Sequence, residues 1–96
     1  SFLKNITCSK VFLGVDGIDV DFGVTTSNIE EAELNQAMME ASLKTIVLCD
    51  SSKFGKKGFG KICSLDKIDV VITDEGISAA MKNAIEEQGV EVIIAK

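Results

Sequence analysis

A chain of 96 residues has room for one small domain with a single core, and its 46% hydrophobic content suits a compact globular fold. Fifteen acidic residues against ten basic ones give a net charge of −5, without the basic excess of a surface that tracks a phosphate backbone, and no apolar run approaches the ~20 residues needed to span a bilayer. Histidine is absent, which removes imidazole-based triads and the usual zinc ligand sets; neither a metal nor a cofactor is expected.

The chain opens on Ser1 rather than methionine and its first residues do not form a signal peptide, so it reads as an excised portion of a longer cytoplasmic protein. A helix-like turn is expected around Phe2 to Ile6. The first strand follows at Val11 to Val15, an apolar run without polar alternation, as in parallel strands covered on both faces. Asp16-Gly17-Ile18-Asp19 then reads as a tight turn at the strand's carboxyl end, where Gly17 lets backbone approach a ligand and Asp16 and Asp19 offer carboxylates. Asp19 and Asp21 read equally well as solvated turn residues.

Gly23 to Asn28 places the hydroxyls of Thr25, Thr26 and Ser27 before a helix, a setting that favours an anion because free N–H groups and the helix dipole face it. An ordinary cap by Ser27 or Asn28 explains the same residues, and Ser27 with Glu30 has capping-box spacing. In the helix, Leu34, Ala37, Met38 and Ala41 form the expected apolar stripe. Glu30, Glu31 and Glu33 are favourable at its start for dipole reasons alone, with Glu33 also a candidate ligand.

Thr45 to Cys49 forms the second expected strand, and Asp50-Ser51-Ser52-Lys53 follows it with a lysine able to meet a phosphate or carboxylate as a point charge. Residues 51–67 hold three glycines and five lysines and read as an irregular surface excursion with one helical turn near Leu65 to Lys67. Within it, Gly55 to Lys61 nearly spells a phosphate-binding loop, but Ile62 stands where a magnesium-binding hydroxyl is required. Lys56, Lys57 and Lys61 read as a solvated face able to touch a neighbouring domain or DNA.

Asp69 to Ile72 and Val90 to Ile94 complete the strands, around a helix with the stripe Ile77, Ala80, Met81, Ala84 and Ile85 that Gly89 ends. Alternating strands and helices call for right-handed crossovers and a mostly parallel sheet with helices on both faces. An open parallel edge invites self-association. Cys8, Cys49 and Cys63 lack metal-knuckle spacing and read as buried free thiols, with a Cys49–Cys63 bridge left open.

Taken in order and spacing, Val11 to Asp19, Gly23 to Thr26, Glu31 to Glu33, Leu48 to Gly55 and Val71 to Asp74 resemble the effector-binding domain of the DeoR family of bacterial transcriptional regulators. The resemblance implies the carboxyl-terminal portion of a fold like that of ribose-5-phosphate isomerase and the coenzyme A transferases. It also implies a sugar-phosphate sensor in a homo-oligomeric repressor whose amino-terminal winged helix-turn-helix, absent from residues 1–96, binds operator DNA. The residues it points to are Asp16, Gly17, Asp19, Thr25, Thr26, Glu33, Asp50, Ser51 and Lys53. Phe12 to Gly17 and Leu34 to Met38 look most like repressors of amino-sugar or galactitol catabolism, such as those of N-acetylgalactosamine operons. A sugar-phosphate isomerase is the alternative. The isomerases share the Asp16 to Asp19 and Asp50 to Lys53 patterns but carry Lys-Gly-Gly where this chain has Gly23-Val24-Thr25-Thr26, so proton transfer lacks its electrophilic partner and binding without turnover is expected.

Overall fold

The computed structural model describes residues 8–96, so the turn expected at Phe2 to Ile6 and the side chain of Cys8 lie outside it. The four apolar runs form strands of one parallel sheet: β1 (Cys8–Gly14), β4 (Ser42–Leu48), β6 (Val70–Thr73) and β7 (Glu91–Ile94), in the order β1-β4-β6-β7. Between β1 and β4 lie β2 (Gly17–Asp19), β3 (Gly23–Thr26) and helix α1 (Ile29–Glu40); β5 (Gly60–Cys63) lies between β4 and β6, and helix α2 (Ala79–Glu87) between β6 and β7. The longest described helix has 12 residues, and none is long and apolar enough to cross a membrane.

Leu13, Val47, Val71 and Val92 occupy one register row across all four parallel strands. All four are buried, and this row floors a core that also takes Ala32 of α1, Ile85 of α2, and Ile18, Val24 and Ile62. The strands cross the sheet in sequence order, and right-handed crossovers then put every connection on the same side. The α/β class and mostly parallel sheet are therefore as expected. The layer of helices expected on the second face has no counterpart among the described residues, where the outer positions Phe12, Leu48 and Ile93 are 57%, 42% and 42% exposed.

The excursion at residues 51–67 is more ordered than its glycines suggest. It begins with a 3-10 turn at Ser51–Lys53, contains β5, and ends with the expected turn at Leu65–Lys67. β5 pairs antiparallel with β3, which pairs antiparallel with β2, so Gly17 to Asp19 and Gly23 to Thr26 are strands of a second, three-stranded sheet rather than open loops. The glycines serve close approach. A Cβ on Gly60 would press on the Asn28 carbonyl and lie 3.1 Å from the Ala32 Cβ, so β5 can lie against α1 only with glycine there.

Helix α1 starts on Asn28, whose Oδ1 accepts from Glu31 N at 2.7 Å; the Ser27–Glu30 capping box does not form. Its buried face also differs from the expected stripe. Ala32 is buried and the Gln36 amide donates to the carbonyls of Lys61 and Ile62 at 3.2 and 2.9 Å, while Leu34 is 55% exposed. Packing on β5 turns Ala32 and the Gln36 amide toward that strand and leaves Leu34 outside, while Met38 of the expected stripe still packs against the core and Ala37 and Ala41 are half-buried. Helix α2 matches its expectation more closely: Ser78 caps it through Met81 N, Ile85 is fully buried, and Gly89 ends it at φ +87°.

Candidate ligand site at the carboxyl rim

Strands β1, β4 and β6 end together, Gly14 pairing with Leu48 and Leu48 with Ile72. Each is followed within two residues by an aspartate: Asp16, Asp50 and Asp74. The turns carrying them are tied to one another. Gly55 N donates to the Ile18 carbonyl at 2.7 Å, and Phe54 forms a parallel bridge with Ile18, making Lys53 and Gly17 the preceding positions of the two bridged segments. A Cβ on Gly17 would collide with the Lys56 carbonyl and lie 2.7 Å from Thr25 Oγ1. Asp16, Gly17, Asp50, Ser51 and Lys53 thus share one rim.

Their roles differ. Asp50 caps the 3-10 turn by accepting from Ser52 N at 2.9 Å, and hydrogen bonds from the Ser52 hydroxyl and N–H hold its carboxyl below the usual range. Asp74 Oδ2 accepts from Ser51 N at 2.9 Å and Oδ1 from Gly76 N at 2.7 Å. These donors, Ser51 first, lower the Asp74 carboxyl likewise. Asp74 therefore fixes the β4 turn from the neighbouring strand. Lys53 is half-buried and pairs with no carboxylate among the described residues.

Thr26 Oγ1 lies 2.7 Å from Glu31 Oε2 and 3.2 Å from Asp16 Oδ2. A hydroxyl has one proton, so it donates to the nearer Glu31 and leaves the exposed Asp16 carboxylate free to accept from a ligand. Thr25, fully buried, donates to the Gly17 carbonyl at 3.4 Å and accepts from Gly58 N at 2.7 Å. Both threonines, expected to line an open pocket, are buried in β3 with their hydroxyls engaged. Asp19 Oδ2 closes a local turn by accepting from Asp21 N and Phe22 N at 3.1 and 2.7 Å. Glu33 is exposed and makes no hydrogen bond to this group; it sits ~200° around the helix from Glu31.

Sequence reasoning missed Asp74 and Glu31. Asp74 had a readable signal, an aspartate directly after an apolar run, the pattern already recognised at Asp16 and Asp50. Glu31 had none beyond helix-start chemistry. Cys49 and Cys63 are free and half-buried, so the bridge left open does not form. Burial first, then nearby carboxylates (Asp50 and Asp74 for Cys49, Asp66 for Cys63), pushes both thiols up to about 11. A separate open groove of about 490 Å³, between the end of α1 and the start of β4 and lined by Met39, Leu43, Thr45 and Asp69 among others, holds none of the expected site residues.

The fold and rim define an α/β domain with polar turns, one bearing a lysine, at the carboxyl ends of its parallel strands, the edge at which open α/β sheets bind ligands. The family model of the DeoR C terminal sensor domain matches residues 1–75, and the chain belongs to that family. It is 45% identical over 92 residues to a putative aga operon transcriptional repressor of Escherichia coli O157:H7, covering 96% of this chain and 34% of that protein. It is 37% identical over 93 residues to the HTH-type transcriptional regulator GlpR of Haloferax volcanii, covering 97% and 36%. Against a lactose phosphotransferase system repressor of Staphylococcus epidermidis it is 38% identical over 91 residues, covering 95% and 35%. The chain spans about a third of the length of these relatives, all three named as regulators or repressors and none as an enzyme.

Proposed function

We propose that this chain is the carboxyl-terminal part of the effector-sensing domain of a DeoR-type repressor, and that its carboxyl rim binds a phosphorylated sugar. The observation that carries this reading is the Gly55–Ile18 hydrogen bond of 2.7 Å, which holds the Lys53 turn against the Asp16-Gly17 turn. Lys53 meets the phosphate, Asp16 accepts from sugar hydroxyls, and Asp50 and Ser51 shape the turn around Lys53. Asp19, Thr25 and Thr26 act mainly by holding this backbone. Glu33 contributes little. The names of two relatives, an aga operon repressor and a lactose phosphotransferase system repressor, support a sugar-derived effector.

In the intact repressor, operator DNA binds through an amino-terminal domain outside these residues, and the effector acts by population shift. A ligand moves the equilibrium only as far as it prefers the low-DNA-affinity arrangement of the oligomer. The cytoplasm is the corresponding compartment.

The test uses the intact protein. Phosphorylated hexosamines and ketoses are titrated while thermal unfolding is followed, and an effector at about 100 times its dissociation constant stabilises the fold by about 2.7 kcal/mol. Lys53→Ala abolishes that gain, whereas the unphosphorylated sugars give none to begin with. A flat response to every sugar phosphate, or an undiminished one in Lys53→Ala, overturns the assignment.

A further inference from the structure

Lys53 sits midway between two main-chain tethers, each two residues away. On one side Gly55 N donates to the Ile18 carbonyl at 2.7 Å, and on the other Ser51 N donates to Asp74 Oδ2 at 2.9 Å. The 3-10 turn that carries the lysine is three residues long, and its own bonds are few. Lys53 N donates to the Asp50 carbonyl at 3.1 Å, Phe54 N to the Ser51 carbonyl at 3.4 Å, and Ser52 N to the Asp50 side chain at 2.9 Å. Hydrogen-bond geometry in so short a turn is poor, so its place relative to the sheet depends on what grips its two ends.

The grip at Ser51 comes from the neighbouring strand. Asp74 follows β6 and uses both carboxylate oxygens, Oδ2 on Ser51 N and Oδ1 on Gly76 N at 2.7 Å. The second bond is a local turn of a kind that aspartates commonly make, whereas the first crosses from β6 to the end of β4. Gly76 lets the two turns close on each other. A Cβ there would run into Ser51 Oγ and lie 2.9 Å from Asp74 Oδ1 and 3.1 Å from Ser51 Cβ. Each oxygen of Asp74 thus serves a backbone donor, in charge-assisted bonds of the stronger kind.

We propose that Asp74 is a positioning residue for effector binding: through the N–H of Ser51 it holds the Ser51–Lys53 turn where Lys53 meets the effector's phosphate. The inference rests on the effector reading of the rim and adds to it a residue that acts without touching the ligand. Lysine is a point charge on a flexible four-carbon stem, so its reach is set by where its backbone is fixed. Coulomb's law alone gives Asp74 the opposite role. A carboxylate beside the rim repels a phosphate, and neutralising it would tighten binding. The sign of the change therefore separates positioning from charge.

The experiment is calorimetric titration of the intact protein with phosphorylated hexosamines and ketoses, glucosamine 6-phosphate and fructose 6-phosphate among them. The wild type is compared with Asp74→Asn, Ser51→Pro, the two combined, and Asp66→Asn. Ser51→Pro deletes the donor of the same bond, and Asp50, at φ −80° and ψ 163°, already has the extended backbone that a following proline requires. Asp74→Asn and Ser51→Pro are each expected to weaken binding by on the order of tenfold or more, and the double variant no further than either, since one bond is lost in all three. Asp66→Asn, which neutralises a carboxylate bonded to Ser64 in the turn before β6, is expected to bind as the wild type does. Unchanged or tighter binding in Asp74→Asn overturns the inference. So does a double variant whose loss is the product of the single losses, or an equal weakening in Asp66→Asn, either of which would make Asp74 a general stabiliser of the fold. A wild type that binds no sugar phosphate overturns the effector reading and this inference with it, whereas the other adverse outcomes overturn this inference alone.

Discussion

Gly55 donates its backbone N–H to the carbonyl of Ile18 across 2.7 Å, joining the turn after β4 to the small sheet that follows β1. This bond brings to one rim two segments that lie some 35 residues apart in sequence. It forms between main-chain groups, so its integrity depends on how closely the backbones can approach.

Gly17 sets that approach. In Gly17→Ala the new methyl meets the Lys56 carbonyl and Thr25 Oγ1, and the two segments must separate. Calorimetric titration of the intact protein with its effector is expected to show binding weakened by on the order of tenfold or more, since a small misplacement of polar groups forfeits their hydrogen bonds. Gly14→Ala, where nothing lies within 4 Å of the added Cβ, is the matched control and binds normally.

Asp74 links the rim to acid stability. Its hydrogen bonds to Ser51 and Gly76 depress its folded-state pKa, so the stabilisation is complete above the unfolded value of ~3.9 and is lost as pH falls through the lower folded value. Asp50 and Asp66 are lowered in the same direction. Thermal unfolding from pH 7 down to about pH 2 is expected to show the wild type losing its advantage over Asp74→Asn below about pH 4.

The thiols test burial. With Cys49 and Cys63 pushed up to about 11, almost no thiolate exists at pH 8. Alkylation of both by iodoacetamide, read peptide by peptide in a mass spectrometer, is expected to be slower in the folded protein than in the denatured chain by on the order of a hundredfold.

Two leucines separate the core from the surface. Leu13, 2% exposed in the row shared with Val47, is expected to cost about 2–5 kcal/mol on truncation to alanine, measured by urea unfolding. Leu34, 55% exposed, is expected to change dilute-chain stability by no more than about 0.5 kcal/mol. Apolar periodicity puts Leu34 in the core, and the opposite result would restore that reading.

The parallel strands, α2 with its Gly89 stop, and the position of Asp16 and Asp50 to Lys53 at strand ends were legible in the sequence because each rests on local chemistry. Unbroken runs of Val, Ile and Leu need burial on a sheet, a glycine after an apolar stripe ends it, and aspartates after strands fall at strand ends. The family, too, was readable from the order and spacing of these short segments.

Only the tertiary structure decided what lay between. β5 hides in a glycine-rich stretch because its glycines answer to Asn28 and Ala32 of α1, far away in sequence. The outward placing of Leu34, the burial of Thr25 and Thr26, the choice of Glu31 over Glu33 and the bracing of Ser51 by Asp74 all follow from the same cause. Local sequence fixes which groups exist and which elements they favour, whereas close backbone approach between distant segments selects the face each group shows and the hydroxyls that stay free.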